Sequence, residues 1–428
     1  MGSNGQSLIG RLPKAFIAIA FLNFLVGAGL GGWMAVQPSA WGLISSIHGE
    51  INPFGWLTML IYGMTYAVLA ISAGIRPPKA WIGWLHLVFA ELAVLVVVAG
   101  WSLHAIMILH IGLGIQFAAP VVFLVNILSA VFSSRRKHRE SAEAAVEDRA
   151  LEAHPLGYLR RDPAYQSTDR VGQRGTDVSL MLFLIGAGWM FIRSLTPGQM
   201  DDVSAPGALY LIYYGWIAGT ILSVALHLFP RFTGVRISAK MMSVLQVAWG
   251  LTVILGTAGL TISAPNLANI GSRLMGIVFA GSSAVYLWAL LRPGRQAPAT
   301  AHVQPASRLA WITSWLFFLV LGICLVIGLD PLSLAAMHML FLGFATTLVY
   351  GIGYTMFQHL LQRRPVSRAG STVQVGTSIL GAVLMVIAFL DMLTPRAAEA
   401  FGLLAVGGTL AWAGATGFLL LWATARHE

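Results

Sequence analysis

The stretch His48–Gly74 reads HGEINPFGWLTMLIYGMTYAVLAISAG, and after its polar head it is apolar throughout. About 20 consecutive apolar residues are what a helix needs to cross a bilayer. Its pattern returns twice, as GALYLIYYGWIAGTILSVALHLFPRFTG from Gly207 and as AAMHMLFLGFATTLVYGIGYTMFQHLLQRR from Ala335. With Gly55-Trp56, Gly215-Trp216 and Gly343-Phe344 aligned, the polar heads fall just before each glycine: His48 and Glu50, Tyr210, His338. Eight residues on stand Gly63, Ser223 and Gly351; eleven on stand Tyr66, Leu226 and Tyr354. One pattern in three apolar helices predicts a threefold internal repeat.

The composition agrees with a chain built to sit in lipid. Of 428 residues, 57% are hydrophobic and 10% charged, with mean hydropathy +0.77; soluble domains carry about 25% charged residues. The net charge of +10 could suggest nucleic acid, but Arg and Lys lie almost entirely in short loops, as the positive-inside rule produces. Nucleic-acid binding is therefore not expected. A single cysteine, Cys324, within an apolar run excludes a disulfide framework, an iron–sulfur site and a CxxCH haem attachment. The lead MGSNGQSLIGRLPK precedes a run of full span length without a small-residue cleavage site, so an anchor is expected there.

Working outward, twelve apolar runs can be marked: 15–36, 51–74, 80–101, 103–132, 178–196, 207–230, 241–263, 269–292, 309–328, 331–361, 373–394 and 398–425. Helices are the expected form, because lipid offers no partner to an open backbone. The fold class is all-α membrane, a single transmembrane domain with three four-helix copies over roughly 15–132, 178–292 and 309–425. Basic residues occupy alternate connections: Arg11 and Lys14, Arg76 and Lys79, the 133–177 loop with RRKHR, Arg231, Arg236 and Lys240, Arg292, Arg295 and Arg308, then Arg363, Arg364 and Arg368. Acid marks two of the others, at Asp201 and Asp202 and at Asp330. Both termini are thus expected in the cytoplasm of a bacterium, with the chain in the inner membrane. Spans 2, 6 and 10 then run the same way, as parallel repeats about an axis along the membrane normal rather than the inverted repeats of many transporters. The 133–177 segment reads as a solvated cytoplasmic linker: RESAEAAVEDRALEA, from Arg139 to Ala153, can form a surface helix, and the turn-rich end reads as mobile. Residues 293–307 form a Pro/Ala-rich loop.

This topology sorts the polar residues by depth. His48, Glu50, His104, His110, Tyr210 and His338 fall in the outer layer; His86, His227 and His359 fall in the inner one. Neutral imidazole binds haem iron, copper and zinc, and a haem between two helices takes one histidine from each. His48 and His338 head equivalent repeats and can converge. His104 and His110, six residues apart, point about 240° apart around a helix and cannot grip one atom together. Candidate cofactor-binding residues are His48, His338, His104 and His110, with Arg193 and Arg273 as partners for anionic propionates; candidate metal ligands are His48, Glu50, His338 and His104. The competing reading for each is ordinary: helix–helix hydrogen bonding for the histidines, most of all His86 and His359, lipid capping for the arginines, and a corner at His227 where Pro230 ends the span. Met107 reads as packing. Glu91 lies mid-span in LVFAELAVLVV; an ionised acid there costs about 2.5–3.5 kcal/mol, so it should be protonated, paired or on a water path, with a proton relay as its functional reading.

HGEINPFGWLTMLIYG, LHLFPRFTG and MHMLFLGFATTLVYGIGY resemble pieces of the haem–copper oxidase subunit I superfamily, and more closely its small relatives of the NnrS kind. That resemblance implies b-type haem, with copper as a second candidate, and a role in nitric-oxide response or respiratory metal handling. In the relatives the head of span 2 carries two histidines one residue apart. His48 matches the first, Glu50 replaces the second, and His338 matches the span 10 ligand. The relatives also hold copper through histidines on spans 6 and 7. Span 6 offers Tyr210 there and span 7 has no histidine, which argues against a usual respiratory oxidase or nitric-oxide reductase. Other oxidoreductase activity stays open. Two rivals remain: a transporter or assembly factor moving haem, copper or a small molecule, and an electron-transfer subunit working with a redox partner.

Overall fold

The computed structural model describes residues 10–73, 78–137, 156–160, 162–196, 205–292, 303–361, 363–394 and 397–425. The expectations placed on Arg76, on the helix from Arg139 to Ala153, on Asp201 and Asp202 and on Arg295 lie outside these residues. Among the described residues the chain is helical: α1 (Arg11–Val36), α2 (41–73), α3 (Ala80–Ser102), α4 (Ile106–Lys137), α5 (Gln166–Ser194), α6 (Pro206–Thr233), α7 (Ala239–Thr261), α8 (Pro265–Leu291), α9 (Pro305–Val326), α10 (Leu334–Leu361), α11 (Arg368–Asp391) and α12 (Ala397–Thr424). Among the described residues, eleven helices are long and apolar enough to cross a membrane. Their outward faces carry Val244, Val247, Leu251 and Ile254 on α7 or Leu92 and Leu95 on α3, exposed in rows, as a lipid-facing wall requires. The protein is an all-α membrane protein.

Three helices form the centre. α2, α6 and α10 are the most enclosed, and each contains a π-helical stretch: Ile51–Thr58, Leu211–Ala218 and Met339–Thr346. Each stretch starts four residues before the glycine that aligns the three sequences. π-Helix is rare and costs regular hydrogen-bond geometry, so its return at one register reflects a shared packing demand. Proline is not the cause: Pro53 stands in the first stretch, but Tyr213 and Phe341 hold its place in the others. The shared feature is the glycine. A methyl on Gly55 would overlap Asn23 of α1, one on Gly215 would press Leu182 of α5, and one on Gly343 would overlap Phe317 of α9. A second small residue lies eight positions on. Gly63 faces Phe16 and Ile17 of α1, and Gly351 faces Trp311 of α9; in the middle helix Ser223 faces Gly175 of α5, so the glycine has moved to the partner.

Indole–hydroxyl bonds tie the three centres together. Trp56 Nε1 donates to Thr346 Oγ1 at 3.3 Å, and Trp216 Nε1 donates to Thr58 Oγ1 at 3.0 Å. All four side chains are buried, where such a bond is the alternative to an unsatisfied donor. At the corresponding positions of the remaining pair stand Phe344 and Ala218, so donor and acceptor are missing together.

The described parts of the 133–177 segment are helix ends and a buried turn rather than solvated linker. α4 continues to Lys137 and α5 begins at Gln166. Leu156 and Leu159 are fully buried, and the turn Gly157–Leu159 sits against α2 and α6. Arg231, 1% exposed, holds it there. Its guanidinium donates to the carbonyls of Tyr158 and Arg160 and, in a two-pronged bond of 2.9 and 2.8 Å, to Asp169 at the start of α5. Neutralised in this way, Asp169 can begin a helix whose first turns lie against protein. Pro230 does not end its helix: α6 runs on to Thr233 and stops at Gly234, whose φ of 67° is the left-handed cap that glycine adopts without strain.

Candidate functional site

His48 and His338 come together. His48 sits on the last α-turn of α2 before its π stretch, and His338 is the residue just before the π stretch of α10, in register with Glu50 rather than with His48. Their rings lie 6.4 Å apart, centre to centre, with planes 13° from parallel. Both residues are half-buried. Each ring has a backbone carbonyl within hydrogen-bond distance of Nδ1: Leu334 of its own helix at 2.8 Å for His338, and Gly27 of α1 at 2.9 Å for His48, whose Nδ1 also lies 3.1 Å from Asn52 Nδ2. A carbonyl at Nδ1 is how ligating histidines are normally oriented, because a proton on Nδ1 leaves a lone pair on Nε2. The ring of His48 fits only because α1 is bare beside it. A methyl on Gly31 would come 2.7 Å from His48 Cε1, and one on Gly27 would meet Asn52 Oδ1 at 2.6 Å. The ring of Phe389 on α11 packs 4.3 Å from His338.

Glu50 points elsewhere. Two residues after His48 it lies across the helix, 6% exposed, and accepts a hydrogen bond from Gln116 Nε2 of α4. His104 is exposed in the turn between α3 and α4, with a φ of 49° that only a turn tolerates in a non-glycine residue. His110 is half-buried on α4; its buried Nε2 has no hydrogen-bond partner and borders an apolar groove with Phe89, Gly114 and Phe191. Arg193 lies half-buried near the end of α5. Arg273 is exposed on α8, donating to Asn269 of its own helix and lying beside Gly328. Neither α5 nor α8 belongs to the four helices around the pair, α1, α2, α10 and α11. Tyr210 is buried against Gly256, with its hydroxyl 3.5 Å from Met275 Sδ.

Among the described residues, the remaining histidines lie away from the pair. His86 is fully buried among Phe16, Tyr62 and Phe123, with Tyr66 Oη 3.1 Å from Nδ1. His227 meets Asp169 at 2.9 Å, and His359 Nε2 is 3.0 Å from Gln358. Glu91, half-buried on α3, accepts from Asn23 Nδ2 at 2.9 Å; the same amide donates to the Gly55 carbonyl at 3.1 Å.

Among the described residues no three His, Cys, Asp or Glu side chains gather as a metal-binding group. Two imidazoles are too few for a closed tetrahedral zinc or copper centre built from protein. They are the full axial set of a haem iron, whose other ligands come from the macrocycle. Two imidazoles reaching one metal end-on, each bond about 2.0–2.1 Å, place their ring centres about 6.3 Å apart. The observed 6.4 Å between the ring centres is close to that distance.

Asn23, Asn52, Gly27, Gly31 and Gln116 complete these contacts, and sequence reading passed over them. Their signals were present: an asparagine inside the apolar run FLNFLVG, a Gly27–Gly31 spacing that opens one helix face, and an asparagine one turn after His48. No family model and no curated protein matches this sequence.

Proposed function

We propose that this chain is a b-type haem-binding membrane protein, with His48 and His338 as the residues that would hold the haem. The single observation that carries the reading is the pair itself: near-parallel rings 6.4 Å apart, each with a backbone carbonyl within hydrogen-bond distance of Nδ1, at the corresponding ends of two similar helices. The wider frame is a twelve-span bundle in which α2 joins the eleven other helices, arranged as three four-helix copies in the manner of haem–copper oxidase subunit I. The three π stretches at one register, the three glycine crossings and the Trp–Thr bonds support that frame. Alternating basic loops support a bacterial inner membrane location with both ends cytoplasmic, which puts the pair in the outer half.

Bound haem supplies one-electron chemistry. His48 and His338 would hold and orient it between α2 and α10, an arrangement that suits electron transfer, with a small gas such as nitric oxide as the other candidate partner. The pair offers no third protein ligand, so copper held by protein alone is the weaker reading. Arg193 and Arg273 are the least supported of the proposed haem contacts. Glu91, in the middle of its span and bonded to Asn23, is proposed as a proton-exchanging group. A role in nitric-oxide response or respiratory metal handling fits these parts.

A second reading, in which haem is passed on rather than kept, is favoured by the competing partners at His48 Nδ1 described below. The deciding experiment is the visible spectrum and metal content of the purified protein, with haemin titration of the same preparation. A b-type Soret band that is lost in His338→Ala and in His48→Ala, with thermal unfolding preserved, is expected. A colourless, metal-free protein that takes up no haemin overturns the proposal.

A further inference from the structure

The Nδ1 atom of His48 has two neighbours that make opposite demands. The Gly27 carbonyl, at 2.9 Å, can only accept a hydrogen bond; Asn52 Nδ2, at 3.1 Å, can only donate one. The orientation of the Asn52 amide is set independently, because the same Nδ2 lies 2.9 Å from the carbonyl of His48, an obligate acceptor. The NH2 edge therefore faces the ring. A neutral imidazole satisfies one neighbour at a time. With the proton on Nδ1 it donates to Gly27, and Nε2 keeps the lone pair that a metal needs. With the proton on Nε2 it accepts from Asn52, and Nε2 is closed to metal. His338 has no such choice: its Nδ1 faces the Leu334 carbonyl, so its Nε2 stays a base.

We propose that Asn52 is a positioning residue that makes His48 the labile ligand of the pair. It holds the ring in the Nε2–H tautomer while the site is empty. Loading moves that one proton from Nε2 to Nδ1, transfers the Nδ1 bond from Asn52 to Gly27, and releases no proton. The switch is inexpensive on the α1 side, since the Gly27 carbonyl lies within a helix and is not left bare when the ring turns to Asn52. His338 then acts as the permanent anchor, and His48 as the ligand that yields to an entering small molecule or lets the haem depart. This inference rests on the reading of His48 and His338 as haem ligands.

The test uses the full-length protein in detergent micelles with 15N-labelled histidine. In the haem-free wild type, His48, identified by its loss in His48→Ala, is expected as the Nε2–H tautomer; in Asn52→Leu it is expected as Nδ1–H. Haemin affinity in Asn52→Leu should rise about fivefold to tenfold, the weight of one hydrogen bond no longer opposing ligation, and haem release to apomyoglobin should slow by the same factor. Asn52→Ala serves if the leucine variant misfolds. A wild-type His48 already in the Nδ1–H form, or a variant whose affinity is unchanged or weaker, overturns the inference. Absence of haemin binding in the wild type overturns instead the ligand reading on which it rests, and the tautomer measured without haem tells the two failures apart.

Discussion

Replacing Gly31 by alanine tests whether the position of the His48 ring governs binding. The new methyl would stand 2.7 Å from His48 Cε1 and 3.2 Å from Nδ1. Non-bonded carbons settle at about 3.5–4.0 Å, so the ring must retreat by about 0.8 Å. Metal–nitrogen distances tolerate only about 0.2 Å of error. α1 cannot back away instead, because at Gly32 and Ala35 it packs closely against Gly408 and Trp412 of α12. Haemin affinity should fall about 10- to 100-fold, the usual effect of displacing a ligand's support. Stability should hold, since alanine is favoured over glycine in a helix interior by up to about 1 kcal/mol. Gly32→Ala is the control: its methyl meets Trp412 Cβ at 3.5 Å and Gly408 O at 3.7 Å, ordinary contacts on another face of α1. The assay is a haemin titration followed at the Soret band, with thermal unfolding in the same detergent. Gly31→Ala binding within about twofold of Gly32→Ala would refute the steric reasoning.

Trp216→Phe removes the donor to the buried Thr58 hydroxyl and should cost about 1–3 kcal/mol in an SDS unfolding titration. Adding Thr58→Ala should recover part of that, since Phe344 and Ala218 already lack both groups at the third position; an unaffected single variant would show that these bonds add nothing. Arg231→Met leaves Asp169 facing three carbonyls and His227 without its cation, and should cost about 3–5 kcal/mol; release of the 156–160 turn should appear as new proteolysis there, and an intact, equally stable variant argues against the anchor. Glu91→Gln can still accept from Asn23 but cannot exchange a proton, so the pH dependence of the haem potential should flatten; an unchanged slope removes Glu91 from the relay.

Much of the bundle could be read from residue order alone. Each apolar run names a helix because a helix in lipid satisfies its own backbone, and that demand is local. The alignment of Gly55, Gly215 and Gly343 was legible for the same reason: a close helix crossing needs a residue without a side chain, and it leaves a mark at a fixed place. The pairing of His48 with His338 could be suggested from their places at the corresponding ends of two similar apolar stretches. Its distance and the tilt of its rings could not, because they depend on α1 presenting Gly27 and Gly31 at the same level.

Where reading failed, the cause was a partner distant in sequence. Residues 156–160 are short and polar-flanked, so nothing local distinguishes them from a solvated linker; Arg231, more than 70 residues on, makes them part of the core. Glu50 looked like a substitute ligand because it is two residues from His48, but on a helix two residues is nearly the opposite face, and Gln116 receives it there. Sequence alone determined the all-helical membrane class, the three recurrent centres and the two histidines worth watching, since these follow from periodicity and hydropathy. Tertiary structure alone decided which histidines meet, which lie away from the pair, and that His48 stands between a carbonyl and an amide making opposite demands, since those depend on side chains brought together from four different helices.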